Sequence, residues 1–359
     1  MRLRNIKLEK VVILTGREAV KISIISIIVA FIIFSIFLLS QGANPIDAYI
    51  QIFSFAFDPK LGLPSTLHRG IFLLFVTLAF ILPLKAGIWN IGMEGQFYLG
   101  TIGAFAAAYA WSDLPSNMLI PLVLIVSGFF GAFYGTIVGF LKGKYGVNEI
   151  VIALMLNNIG YWLIYLLVVG GPWMGVAESN SKPMPTSAVA PMIWDTPFTI
   201  FLALAIYVIL YFVIKKTNIG FQLRVLGSSL PAAEHAGISP LKISIFVMAV
   251  GGAIAGIAGY HMWGGDPAFY KIPGPNAYKP IGDFTYWGIM VGLICILNPI
   301  AAIPASIFVG GIKQGGTILI RRLKLPVGLD LAFLGILFLT FVAFQFFYHY
   351  KITRVKKRG

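Results

Sequence analysis

The amino-acid sequence predicts an all-α polytopic membrane protein with about ten transmembrane helices. Three observations carry that expectation. Of the 359 residues, 58% are hydrophobic and only 11% are charged. Apolar runs recur at close to the ~20 residues that cross a bilayer. No polar segment approaches the ~50 residues of a small soluble domain, so any soluble activity must come from partner chains. The net charge of +14 does not indicate a nucleic-acid binder, because Lys and Arg cluster in short loops and at both ends of the chain, as the positive-inside rule requires.

The elements follow in order. Residues 1–21 are a basic segment with six Lys or Arg, expected in the cytoplasm. Residues 22–40 are too long for a signal-peptide core and read as an uncleaved first span. Residues 45–57 mix polar and apolar side chains, the pattern of a short amphipathic helix at the outer interface. Further spans are expected at 68–86, 96–111, 118–141, 148–170, 197–214, 242–262, 283–297, 299–319 and 330–350, which makes 22–350 a single transmembrane domain. Residues 351–359 form a basic cytoplasmic tail. With the N-terminus inside, 18 Lys or Arg fall on the inner side and 8 on the outer, while eight of the 13 acids fall outside. Both termini are therefore expected in the cytoplasm of a multi-pass cell-membrane protein. Arg321, Arg322 and Lys324 run against this parity; the alternative is a re-entrant hairpin at the Asn298-Pro299 break. Two outer loops, 172–196 and 263–282, are rich in Pro, Gly, Ser and aromatics and read as docking or gating surfaces. Cys295 is the single cysteine, which leaves no disulfide framework and no thiol metal cluster.

The stretch 87–96, GIWNIGMEGQ, lies between two short apolar runs and places Trp89, Asn90, Glu94 and Gln96 where hydrocarbon would normally surround the chain. A carboxylate at the centre of a membrane helix costs roughly 3 kcal/mol to insert, and non-helical backbone is tolerated there only inside protein or along a wet cavity. Short, Gly-interrupted spans point to a translocation site. Glu94 has two readings: a pathway carboxylate, or an internal brace for the broken backbone, protonated or paired with Lys85. Asn157 and Asn158 lie one or two turns into their span, as interhelical glue or as pathway lining. Trp89, Phe97 and Tyr98 fit stacking on a nucleobase or sugar face, or the commoner packing of a lipid-facing aromatic belt. Asn148 and Glu149 are ordinary helix-start residues, and Lys313 is a snorkelling or lining lysine. Gly131, Gly135 and Gly139, and again Gly252 and Gly256, recur every four residues, which predicts close helix approach.

The loop 215–241 contains GFQLRVLGSSLPAAEHAGISP. Pro231 suits a first helical position, Ala232, Ala233 and Ala236 favour helix, Gly237 is a natural stop, and Ser239-Pro240 start the next helix. A helix of one to two turns is unstable alone, so it packs on its own membrane domain or in a partner's groove. No phosphate loop, H-E-x-x-H pair or G-x-S-x-G elbow occurs, and the four histidines lack metal-ligand spacing, so no enzyme, metal site or ATP site is expected in this chain.

Gly220, Arg224, Gly227, Ala232, Ala233 and Gly237-Ile238, with Glu234 among them, resemble the ATPase-contacting loop of permease subunits in ATP-binding cassette (ABC) importers of the branched-chain amino acid and simple-sugar permease superfamily. Gly87, Asn90-Ile91-Gly92, Glu94-Gly95-Gln96, Gly100, Val147-Asn148-Glu149 and Leu154-Met155-Leu156-Asn157 resemble its nucleoside branch. Asn158, the Tyr161-Trp162 pair and the basic loop at 321–324 depart from that pattern. The resemblance implies the type II importer permease fold with a short cytoplasmic coupling helix, and a substrate pathway at Trp89, Asn90, Glu94, Gln96, Asn157 and Asn158. It also implies ATPase subunits that carry ATP and Mg, a second permease subunit (a copy or a paralogue), an extracellular solute-binding protein and surrounding membrane lipid, with nucleosides or simple sugars as cargo. The rival reading is a secondary transporter or channel for a small polar solute, with Glu94 and Lys313 in ion coupling; an intramembrane transferase or protease is a third.

Overall fold

The computed structural model describes residues 6–10, 16–176, 180–265, 270–294, 299–326 and 328–354. Cys295 and Asn298 lie outside the described residues. Strand β1 (Ile6–Lys10) precedes α1 (Gly16–Ser40), α2 (Pro45–Ala56), α3 (Leu63–Lys85), α4 (Met93–Ala110), α5 (Ser116–Tyr145) and α6 (Glu149–Val168). A two-residue hairpin, β2 (Met192–Ile193) with β3 (Thr196–Pro197), leads into α7 (Thr199–Lys216), α8 (Asn218–Ser228), α9 (Leu230–His235) and α10 (Pro240–Gly264). The chain continues through α11 (Pro275–Asp283), α12 (Thr285–Ile294), α13 (Ala302–Leu323), α14 (Leu329–His349) and β4 (Tyr350–Arg354).

Each of the ten expected spans coincides with a helix. Among the described residues, α1, α3, α5, α6, α7, α10 and α13 are long and apolar enough to cross a membrane. The described apolar part of α14 is shorter, 329–344, and α12 is described for ten residues. The amphipathic segment forms α2, capped by Asn44, whose side chain accepts from the Ile46 N–H. Ala48, Ile52 and Ala56 are buried on one face of α2, while Ile46 and Ile50 are exposed. Two helices were not expected. α11 forms within the outer loop read as irregular, and the loop after α7 holds two short helices rather than one. α9 starts one residue before Pro231, because Ser229 caps it by accepting from the Ala232 N–H.

Contacts divide the chain into two compact units, residues 1–63 with 311–359 and residues 64–310. In the first, Phe333 of α14 stacks on Phe34 of α1 at 4.4 Å and meets Phe31 edge-on. Lys313 pairs with Asp330 at 2.5 Å, so the polar group of α13 is neutralised by the start of α14. β1 and β4 pair antiparallel, Ile6 opposite Arg354 and Lys10 opposite Tyr350, which brings the two ends of the described chain to one place.

The second unit is organised by α4, α5 and α10, whose backbones approach through glycine. A Cβ on Gly135 would lie 2.0 Å from the Met248 carbonyl oxygen, one on Gly131 2.2 Å from the Gly252 carbonyl oxygen, and one on Gly100 2.2 Å from the Gly256 Cα. Ser127 Oγ donates to the Gly256 carbonyl at 2.6 Å. In a bilayer, helix association rests on such close packing and interhelical hydrogen bonds, because lipid tails are as apolar as the helices. Gly135→Ala therefore forces α5 and α10 apart, at a cost of about 1–3 kcal/mol, and should lower the unfolding temperature in detergent. Gly335→Ala, with nothing within 4 Å of the added carbon, should leave it unchanged.

Candidate functional site

α3 carries Pro83 near its end and stops in a left-handed turn. Gly87 has φ +77°, its N–H donates to Leu84, and the Ile88 N–H donates to Pro83. This is the Schellman geometry that glycine permits. Residues 88–90 then run without helix until α4 begins at Met93. Asn90 lies against Gly251, the twelfth of 25 residues in α10. At a rise of 1.5 Å per residue, that is about 17 Å from the start of α10. The break is therefore level with the middle of a full-length span.

Every polar group at such a depth needs a protein partner. Asn90 and Gln96 exchange side-chain hydrogen bonds, 3.0 Å in each direction, and Asn90 Nδ2 also donates to the Ala79 carbonyl. Asn157, the ninth residue of α6, accepts from the Gly95 N–H at 2.8 Å, one of the orphan donors of the first turn of α4. Its Nδ2 donates to the Ile91 carbonyl and to the Tyr286 hydroxyl. The Trp89 N–H donates to Glu149 Oε1, and Glu149 Oε2 pairs with Lys142 at 2.8 Å, which ties the ends of α5 and α6 to the break. Asn148 caps α6.

Glu94 is the buried charge at the centre of this arrangement. Its Oε1 accepts from Lys279 Nζ at 2.7 Å and from the Tyr98 hydroxyl at 3.1 Å; its Oε2 accepts from the Tyr286 hydroxyl at 3.0 Å. Lys279 also reaches Asp283 Oδ1 at 3.3 Å and lies 5.3 Å from the Tyr161 ring centre. The ion-pair partner supplied to Glu94 is thus Lys279, not Lys85, because α11 descends beside α4. The Glu94 side chain is 3% exposed, whereas Lys279 is 42% and Asp283 53% exposed.

Of the residues singled out in the sequence, Asn90, Gln96, Glu94 and Asn157 are brought together. Trp89 packs its ring on Phe80, and Asn158 is exposed and, among the described residues, bonds the Leu154 carbonyl of its own helix. Tyr98, expected as a stacking ring, instead donates its hydroxyl to Glu94, and Lys279, Asp283 and Tyr286 were missed. The available signal was a Lys and an Asp four residues apart, just before an apolar run, in a loop otherwise poor in charge. Two distant histidines also meet. His261 Nε2 bonds the His68 carbonyl at 2.8 Å, its Nδ1 bonds Thr199 Oγ1 at 2.7 Å, and His68 Nε2 bonds the His261 carbonyl at 3.2 Å. The pair ties α3, α7 and α10 together. Among the described residues no group of three or more His, Cys, Asp or Glu could hold a metal.

The α8–α9 loop meets the break directly. A Cβ on Gly227 would lie 2.5 Å from the Lys85 carbonyl oxygen and 3.1 Å from the Gly87 nitrogen. Arg224 Nη1 donates to the Ile214 carbonyl at the end of α7, and Gly220 lets α8 turn tightly against that end, its Cβ position 2.3 Å from the same oxygen. Ala233 and Ile238 are buried, while Ala232, Glu234 and Gly237 are exposed. Gly237, at φ +72°, closes α9. A cavity of about 510 Å³ lies between this loop, residues 86–88 and the end of α5.

A many-span helical chain with an internally braced break at mid-depth and an exposed short-helix loop packed on that break defines a membrane permease. Residues 62–342 match the family described as the permease component of branched-chain amino acid transport systems. The chain belongs to this family of permease components, the membrane-embedded subunits of ABC transporters. Among curated relatives, it is 29% identical over 308 residues to a nucleoside ABC transporter permease protein of Lactococcus lactis subsp. cremoris, covering 82% of this chain and 83% of the relative. It is 28% identical over 345 residues to a glucose ABC transporter permease protein of Haloferax volcanii (92% and 88% covered). It is 26% identical over 344 residues to a guanosine ABC transporter permease protein of Bacillus subtilis (94% and 97% covered).

Adjacent residues of α6 separate bracing from surface. Asn157→Leu leaves the Gly95 N–H and Ile91 carbonyl unpaired and should cost about 1–3 kcal/mol, read as a lower unfolding temperature. Asn158→Leu should change stability by no more than about 0.5 kcal/mol.

Proposed function

We propose that this subunit passes nucleosides or related simple sugars into the cell by alternating access, driven by separate ATPase subunits. One observation carries the reading: a nearly half-exposed ammonium, Lys279, sits on a buried carboxylate at the depth of the break. An ammonium cannot face hydrocarbon without a cost of several kcal/mol, so the face carrying Lys279, Asp283, Tyr286 and Tyr161 is wet and lines the pathway. Glu94 and Asn157 stand at its floor, and Asn90 and Gln96 brace the backbone beneath it.

The ATPase subunits engage the loop that holds Gly220, Arg224, Gly227, Ala232, Ala233, Glu234, Gly237 and Ile238. Its exposed turn and its backbone contact with the break at Gly87 support that role. The excess of Lys and Arg on the side of this loop supports a cytoplasmic position for it and for both termini. The pairing of β1 with β4 supports an even number of spans. ATP and Mg belong to the ATPase subunits. A second permease subunit, copy or paralogue, completes the pathway in the cell membrane, and an extracellular solute-binding protein delivers cargo to the outer loops. The relatives named for nucleosides, guanosine and glucose support a neutral, polyhydroxylated ring compound as cargo.

Uptake of labelled purine and pyrimidine nucleosides, with ribose and branched-chain amino acids as comparators, tests the proposal in cells with and without this chain. Nucleoside uptake should require the chain and ATP. Ala232→Arg and Glu234→Arg, on the exposed turn of the loop, should abolish it while the protein still reaches the membrane. Unchanged nucleoside uptake alongside loss of another solute would discard the nucleoside reading.

A further inference from the structure

Resting on the reading of this subunit as a nucleoside or sugar permease, we propose that Glu94 is the acceptor for a vicinal diol of the passing substrate, and that Lys279 occupies the diol's place when the site is empty. Three donors from three helices meet the Glu94 carboxylate. Tyr98 comes from α4 and Tyr286 from α12; both are hydroxyls on rigid rings carried by elements packed into the unit. The third, Lys279, comes on a flexible four-carbon stem from the nine-residue helix α11, and it alone of the three is charged.

Lys279 is also the donor that can leave. It lies between two carboxylates, 2.7 Å from Glu94 and 3.3 Å from Asp283. Withdrawal toward Asp283 keeps the ammonium paired and wet, so no charge is stranded in the low-dielectric interior, which is the usual penalty for breaking a buried ion pair. Withdrawal leaves Glu94 Oε1 short of a donor. The replacement must donate, because a carboxylate only accepts, and a pair of adjacent hydroxyls presents two donors at the spacing of two carboxylate oxygens. The Tyr161 ring, beneath the ammonium in the empty site, then offers an apolar face to the sugar or base. The two carboxylates, Glu94 and Asp283, outnumber the one ammonium between them, so the site favours the uncharged nucleoside or sugar over its phosphorylated form.

The test measures equilibrium binding to the complete transporter in nanodiscs. The ligands are uridine and adenosine, each beside its 2′,3′-dideoxy counterpart, with leucine as an amine-bearing comparator. The wild type should bind the ribonucleosides about tenfold or more tightly than the dideoxy forms, as hydrogen bonds to a buried charge require. Glu94→Gln should cut that ratio to about threefold or less. Lys279→Gln, which removes the competing cation, should tighten ribonucleoside binding while keeping the ratio. If Glu94→Gln fails to fold, Glu94→Asp, which withdraws the carboxylate, reads the same ratio. A wild-type ratio near one, no ribonucleoside binding, tighter binding of leucine, or an unchanged ratio in the Glu94 variants overturns the proposal. Intact nucleoside uptake in cells alongside any of these results leaves the permease reading standing and removes the diol site alone. Loss of nucleoside specificity in the uptake experiment removes the reading itself.

Discussion

The exchange of hydrogen bonds that closes the gap between α3 and α4 is the constraint from which the rest of the second unit follows. A chain that stops being helical at mid-depth exposes N–H and C=O groups that no lipid can satisfy, each worth several kcal/mol if left bare. Asn90 joins Gln96 of α4 to the Ala79 carbonyl of α3, and Asn157 reaches in from α6 to hold Ile91 of the break and Gly95 of α4. Those amides need neighbours at fixed distances, and the glycines of α5 and α10 allow the backbones to come that close. Gly135 lies beside Gln96 and Gly251 beside Asn90. Close packing and polar closure are therefore one arrangement seen from two sides.

Charge is treated differently in three places. Lys313 and Asp330 form a partly buried pair that joins α13 to α14. Lys142 and Glu149 join α5 to α6 at the end of the break, with the Trp89 N–H as a third participant. Glu94 and Lys279 differ from both, because the acid is sealed in protein while the base is nearly half exposed. The first two pairs fix helices to each other. The third has a second acid within reach, and only there can one partner change sides without leaving an ion unpaired.

The α8–α9 loop and this pair are joined by a short path. Gly227 touches the backbone at Lys85 and Gly87, and the chain from Gly87 runs through Asn90 to Glu94 within seven residues. Backbone against backbone, with no side chain between, leaves little slack for a displacement of the loop to be absorbed.

Composition and periodicity alone determined a many-span helical membrane chain, because apolar runs of bilayer length admit no other economical solution. A helix under each of the ten expected spans was legible in this way, seven of them long and apolar enough among the described residues to cross a membrane, as were the amphipathic α2 and the glycine faces of α5 and α10. The polar residues of the break could also be named, since Asn90, Glu94 and Gln96 stand out in an apolar field. Their partners could not. Lys279 and Tyr286 come from 185 and 192 positions further along, on a helix that forms inside a loop with weak periodicity and on the span that follows it. Asn157 and Asn158 are neighbours of the same type, and only the rotation of α6 against α4 decided that one braces the break while the other faces outward. Which charge meets which, and which face is wet, are properties of helix packing, set by contacts between residues that local pattern does not link.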